Sequence, residues 1–210
     1  MKAFLITSLL AAVASAIPMP APAPAPMPAP PGIPSKSTAQ SQLAALTVKA
    51  AYDDGNYKRD KFPHWNTVSG ACNTREYVLK RDGVNVVTNS ACSATSGTWY
   101  SPFDGATWTA ASDVDIDHMV PLKNAWISGA NNWTSTKRTQ FANDISTPQL
   151  WAVTDDVNQA KGDKSPDKWK PPLTSFYCTY AKSWVTVKYS YGLSITSAEK
   201  SALTSMLNTC

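Results

Sequence analysis

Leu43, Leu46 and Ala50 recur at helical spacing within Ser37–Ala51, which predicts a first helix there. Glu76–Leu79 and Val84–Thr88 read as two strands flanking Arg81-Asp82-Gly83, whose Asp-Gly pair predicts a hairpin turn. Gly97–Trp108 is aromatic and turn-rich, as in a loop with a short strand. Trp99 and Trp108 are expected at the surface and most of the eight tryptophans in the core. From Asp113 to His118 the pattern alternates: Val114 and Ile116 point one way, Asp113, Asp115 and Asp117 the other, as in a half-buried strand that Pro121 cuts off. Short helices follow over Leu122–Ser128, closed by Gly129, and over Ser135–Asn143.

Gln149–Val153 reads as a second short strand. Thr154 is placed to cap a two-turn helix that opens on Asp155-Asp156, carboxylates suited to its positive end, and stops at Gly162. Phe176, Tyr177, Tyr180, Ala181, Trp184 and Val185 trace one helical face. Thr196-Ser197-Ala198-Glu199 is a capping box opening a last helix that buries Ala202, Leu203, Met206 and Leu207. Helices interspersed with few, short strands give an α+β fold with a small sheet.

Composition changes this picture at the ends. Of 16 prolines among 210 residues, most lie between Pro18 and Pro34. Residues 1–16 have the layout of a secretory signal: Lys2, the apolar run Phe4–Val13, and Ala14-Ser15-Ala16 as cleavage site. The run is shorter than the roughly 20 residues that a spanning helix needs, so no membrane partner is expected. Residues 17–35 alternate Ala and Pro, a composition for extended polyproline II, and read as a propeptide or solvated linker. Residues 36–210 are left as a single domain, expected to be monomeric.

Four cysteines in a secreted chain point to two disulfides among three possible connectivities; Cys72–Cys92 and Cys178–Cys210 are favoured because each pair lies close in sequence. Asn132-Trp133-Thr134 is a glycosylation sequon and predicts an exposed loop at Asn132. The formal net charge of +4 permits nucleic-acid binding without requiring it. Lys161, Lys164, Lys168 and Lys170 form a basic stretch, diluted by Asp163 and Asp167, that reads as a solvated face.

The chain holds no G-x-S-x-G elbow, H-E-x-x-H pair or Walker loop. Its distinctive chemistry is Asp115-Ile116-Asp117-His118, followed by the second strand and the helical Asn158-Gln159-Ala160-Lys161. A carboxylate can ligate a hard cation, and a neutral imidazole can accept a proton from water. Asn158 and Lys161, three apart, share a helix face.

This strand–insert–strand–helix order resembles the HNH, or ββα-metal, nucleases, and in particular a secreted family related to the C-terminal nuclease domain of modification-dependent restriction enzymes. The likeness is carried by Asp115–Leu122, Ser128-Gly129-Ala130, Phe141-Ala142-Asn143-Asp144, Asn158–Asp163, Trp169-Lys170-Pro171-Pro172 and Cys72-Asn73-Thr74-Arg75-Glu76, and spans Cys72 to Cys210. It implies a secreted endonuclease with an HNH core and extra helices. Within it His118 is the general base and Asp117 and Asn158 ligate one divalent cation, Mg²⁺ or else Mn²⁺. Asn143 is the candidate for orienting His118, or else a helix C-cap; Lys161 and Arg138, with Lys123 behind them, are the candidates for phosphate contact, Arg138 reading equally as an exposed residue on a polar helix. DNA is the favoured substrate and RNA a second. Arg75 and Glu76 read as a structural ion pair. The alternative function is a non-catalytic secreted module that binds cell wall or nucleic acid on the same scaffold.

Overall fold

A computed structural model describes residues 27–210. The expected signal at residues 1–16 and the first part of the Pro/Ala stretch lie outside the described residues. Among the described residues the architecture is mixed α+β, with small antiparallel sheets among seven α-helices. Among the described residues no helix is long and apolar enough to cross a membrane.

Helix α1 (Lys36–Ala45) is capped by the Ser35 hydroxyl, which accepts from Thr38 N–H. It ends earlier than its apolar spacing predicts, because Leu46 turns extended and Val48 bridges to Ile195 instead. The Pro/Ala stretch is not wholly a solvated linker either. Pro30 is buried and Ile33 packs against the main core, so the apolar end of this segment is drawn onto the domain.

Strands β1 (Thr67–Ser69) and β2 (Cys72–Asn73) pair in a small antiparallel ribbon. The next element departs from the sequence reading. Instead of a strand over Glu76–Leu79, helix α2 spans Thr74–Asp82, with the Asn73 side chain accepting from Glu76 N–H. Thr74, Val78 and Asp82 are buried at four-residue spacing, a helical period that a four-residue window is too short to display. Arg81-Asp82-Gly83 therefore makes no hairpin turn. Arg81 and Asp82 pair at 2.6 Å, Arg81 donates to Leu150 O and Asp82 accepts from Ala152 N–H, anchoring the end of α2 to a later strand.

Strands β3 (Gly83–Thr88), β4 (Ala94–Tyr100) and β5 (Thr107–Trp108) form an antiparallel sheet. Trp99, expected at the surface, is 1% exposed because α2 lies over this sheet; its indole donates to Leu79 O at 2.8 Å. A Cβ at Gly83 would stand 2.5 Å from the same indole nitrogen, so the close approach requires glycine. Trp108 is half-buried.

Strand β6 (Val114–His118) is followed by α3 (Leu122–Ile127) and α4 (Ser135–Ala142), then by β7 (Leu150–Thr154) and α5 (Asp155–Lys161). β6 and β7 pair antiparallel in a continuous register from Val114↔Thr154 to His118↔Leu150. Val114, Ile116, Leu150 and Ala152 pack with Val78, Leu79 and Trp99, while Trp151 and Val153 enter the larger core. Thr154 stands at the cap position of α5, but its hydroxyl accepts from the Trp108 indole rather than capping the helix. Gly162, at φ 50°, stops α5 as expected.

Helices α6 (Tyr177–Tyr191) and α7 (Ser197–Leu207), with the capping box at Thr196 and Glu199, close the larger core against α1. Cys178–Cys210 joins them, and Cys72–Cys92 ties β2 to the turn after β3. Both favoured pairings are present. A buried ion pair, Lys188 to Glu199 at 2.7 Å, lies between α6 and α7, and Glu199 also accepts from the Trp184 indole.

Asp144, just past α4, accepts from Ser146 N–H and hydroxyl, from Thr147 N–H and hydroxyl, and from Tyr191 OH at 2.9 Å. Burial pushes its pKa up, but these donors together outweigh burial and hold it below the ordinary carboxylate value. A folded-state pKa below the unfolded one stabilises above the unfolded value of about 3.9 and is lost as pH falls through the folded value. Asp144→Ala is expected to lower stability by about 2 kcal/mol at pH 6. In urea titrations its deficit against wild type should shrink at pH 2; an equal deficit at both would contradict this account.

Candidate active site

The two strands and α5 bring Asp117, Asn158 and Lys161 together beside His118. Asp115 and Asp117 are two apart on β6 and share a face, about 6.6 Å along the strand. Asn158 and Lys161 are one helical turn apart on α5, about 4.5 Å along its axis. Two rungs form: Asn158 Nδ2 donates to Asp115 Oδ2 at 2.9 Å, and Lys161 Nζ donates to Asp117 Oδ1 at 2.8 Å. Lys161 also donates to His118 O at 2.9 Å.

Lys161 is thus not on a solvated face, and its phosphate contact is a correction. It is 0% exposed and engaged from inside the protein. Burial lowers its pKa, against the pull of Asp117. Burial likewise pushes Asp117 up to about 6, against the pull of Lys161. The other oxygen of this carboxylate, Asp117 Oδ2, is buried with no hydrogen-bond partner. An orphaned anionic oxygen costs free energy unless something positive meets it.

His118 ends β6 and is almost fully buried. Its Nε2 lies 2.9 Å from Ala142 O at the end of α4. A carbonyl only accepts, so Nε2 carries the proton and the lone pair of the neutral ring is at Nδ1. Burial first, and then the positive charges of Arg59 and Lys161 with neighbouring His64, press the His118 pKa down to about 3, although the Ala142 carbonyl pulls the other way. The ring is therefore neutral at physiological pH. Trp65 lies against it, ring centroids 5.8 Å apart, with His64 at 6.4 Å.

Asn143 does not orient His118 directly. Its Oδ1 accepts from Asn66 N–H and from Thr74 OH, and its Nδ2 donates to Pro63 O and Thr139 O. It clamps the loop that carries His64 and Trp65 to the ends of α4 and α2, while the neighbouring backbone at Ala142 holds the imidazole. Arg138 is a second correction: its guanidinium donates to Lys61 O at 2.9 Å and to Trp133 O, and stacks over Trp126. Lys123 is half-buried on α3 and does not line the pocket. Arg75 pairs with Glu76 at 3.2 Å, as expected of structural residues, and Asn132 is exposed.

A pocket of about 280 Å³ opens over these groups, lined by Asp115, Asp117, His118 and Asn158 together with Arg59 and Asp163. The sequence reading missed Arg59, Asp115 as the partner of Asn158, and the pair His64-Trp65. The density of ionisable and aromatic side chains in Arg59–Trp65, between the first helix and Cys72, was the available signal.

Among the described residues no three His, Cys, Asp or Glu side chains cluster to hold a metal. Asp117 and Asn158 both line the pocket; Asp117 Oδ2 is unpartnered, and among the described residues the Asn158 oxygen accepts no hydrogen bond while its NH₂ is held by Asp115. Two hard oxygens of this kind fit Mg²⁺, which keeps several waters and takes one or two protein ligands.

A histidine-ended strand, an antiparallel partner and the following helix, converging on a carboxylate and an amide, define the centre of an HNH-like protein. The chain belongs to the family described as GmrSD restriction endonucleases, C-terminal domain, which it matches over residues 71–206. It is also similar to an "Uncharacterized secreted protein" of Arthroderma benhamiae, 67% identical over 180 residues that cover 86% of this chain and 88% of that one. No solved structure matches the chain. With this relative and two disulfides, the chain is a secreted protein.

Proposed function

We propose that the protein is a secreted, divalent-metal-dependent endonuclease that hydrolyses phosphodiester bonds, DNA before RNA, with little sequence selectivity. The observation that carries this reading is the tautomer of His118: neutral, with Nε2–H held on Ala142 O so that the lone pair is at Nδ1, on a residue that lines the same pocket as Asp117. In the hydrolysis, Nδ1 takes a proton from a water whose oxygen attacks phosphorus, and the P–O3′ bond breaks. The products are 5′-phosphate and 3′-hydroxyl ends, the leaving oxygen taking its proton from solvent. Asp117 and Asn158 would hold Mg²⁺ or Mn²⁺, which supplies charge neutralisation at the phosphate and leaving oxygens. Lys161 keeps Asp117 ionised and aimed, and Asp115 turns the Asn158 oxygen outward. These groups suit the phosphodiester common to all nucleotides, which supports low selectivity. Residues 36–210 are read as one nuclease domain, acting as a monomer.

Supercoiled plasmid incubated with the purified protein is expected to be nicked with Mg²⁺ or Mn²⁺ and left intact with EDTA. Asn158→Ala should need a higher Mg²⁺ concentration for half-maximal nicking. A wild-type titration curve for that variant would remove Asn158 from the ligand set. A wild-type protein that binds but cuts neither DNA nor RNA with any divalent ion would be a binding module.

A further inference from the structure

We propose that Arg59 is the phosphate-binding cation of this site, its guanidinium gripping the non-bridging oxygens of the substrate phosphodiester beside His118; the inference rests on the nuclease reading above. The pocket is acidic. Asp115, Asp117 and Asp163 line it, and Lys161 offsets Asp117 alone from beneath. A phosphodiester entering this pocket meets net negative charge and needs a cation on the solvent side besides any divalent ion. Three basic residues expected in that role are not free for it: Lys161 is enclosed, Arg138 is held by two carbonyls, and Lys123 is elsewhere on α3. Arg59 lines the pocket, is exposed, and among the described residues makes no side-chain hydrogen bond or ion pair. A guanidinium presents two parallel N–H groups to a phosphate, a geometry that a lysine lacks.

The segment bearing Arg59 is also held in place, as a substrate contact requires. Two residues on, the carbonyl of Lys61 accepts from Arg138, and one further Phe62 is 0% exposed, packed edge-on to Trp126 and Phe141. Arg138 thus serves phosphate indirectly, by fixing the turn that presents Arg59. At the far end of the segment Trp65 has φ 61°, a left-handed backbone that a bulky residue rarely adopts, and the Asn143 clamp on Pro63 and Asn66 holds it there. Arg59 through Trp65 precede the stretch that matches the family, so this cation is supplied from outside the matched domain.

The test uses the whole secreted chain and its Arg59→Ala and Arg59→Lys variants in two assays. The first is binding of a fluorescent DNA duplex in EDTA at several salt concentrations; the second is plasmid nicking with Mg²⁺. Arg59→Ala is expected to bind roughly tenfold more weakly, with a salt slope lower by about one, and to nick on the order of 100-fold more slowly. Arg59→Lys should recover much of the binding and less of the rate. Because the side chain is exposed, thermal unfolding of both variants should match wild type. Binding and nicking by Arg59→Ala equal to wild type would overturn the assignment and leave the nuclease reading intact. A wild type that binds without cutting would overturn the nuclease reading, and Arg59 would then stand or fall on the binding series. A wild type that neither binds nor cuts would overturn both.

Discussion

Plasmid nicking by His118→Ala is expected to fall by roughly 10²–10⁴, the range that a positioned general base contributes. The variant loses the Nδ1 lone pair and also a ring packed against Trp65, so a drop in activity alone would not separate chemistry from collapse of the loop. His118→Gln provides the separation: it retains a polar side chain at the site but offers no basic nitrogen. Both variants should still bind a DNA duplex in EDTA, since Arg59 and the metal ligands are untouched. They should differ in thermal unfolding, with the alanine variant lower. Robust nicking by either would remove His118 from the mechanism. The acid range gives an independent check on tautomer and burial. An imidazole with pKa about 3 in the folded state and about 6.5 unfolded is more protonated in the unfolded chain at intermediate pH. Its depressed folded pKa makes stability fall as pH drops from about 6.5 towards 3, a contribution that the alanine variant lacks.

Lys161→Met is expected to destabilise the protein by about 3–5 kcal/mol at pH 8, the scale for removing one partner of a buried pair. The Asp117 carboxylate would be left with neither oxygen partnered, and His118 O would lose its donor. Removing Lys161 also removes the influence that opposes burial, so the Asp117 pKa rises beyond about 6. A folded pKa raised above the unfolded value adds stability in full below the unfolded pKa, and that stability is lost as pH rises through the folded one. The deficit of Lys161→Met against wild type, from urea unfolding in EDTA, should therefore be largest at pH 8 and smaller near pH 4. A deficit independent of pH would mean that Asp117 is not the group left exposed to the loss.

Strand β6 was legible because its signal is local. Alternation of Val114 and Ile116 with three aspartates needs only neighbouring residues, and the turn-scale signals at Gly162 and Thr196–Glu199 are equally short-range. What local patterns do not carry is which partner a polar side chain meets. Lys161 reads as solvated from the residues around it, and only Asp117, 44 positions away, makes it a core residue. Arg138 and Lys61 lie 77 apart, so the carbonyl that occupies the guanidinium is invisible from the helix that bears it. Helix α2 was missed for another reason: Tyr77-Val78-Leu79 suits a strand as well as a helix, and the decisive evidence is the buried spacing of Thr74, Val78 and Asp82.

The wiring of Asn143 restricts what evolution can place there. One terminal amide serves two acceptors through its NH₂ and two donors through its oxygen, linking residues 63, 66, 74 and 139. Asp would keep the oxygen half and turn a carboxylate towards two carbonyls; Ser is too short to span the gap, and Gln carries the same group one methylene too far. The position admits a single amino acid on grounds of connectivity. A comparison of relatives would show the invariance usually credited to a catalytic side chain, although this amide touches neither the imidazole nor the pocket.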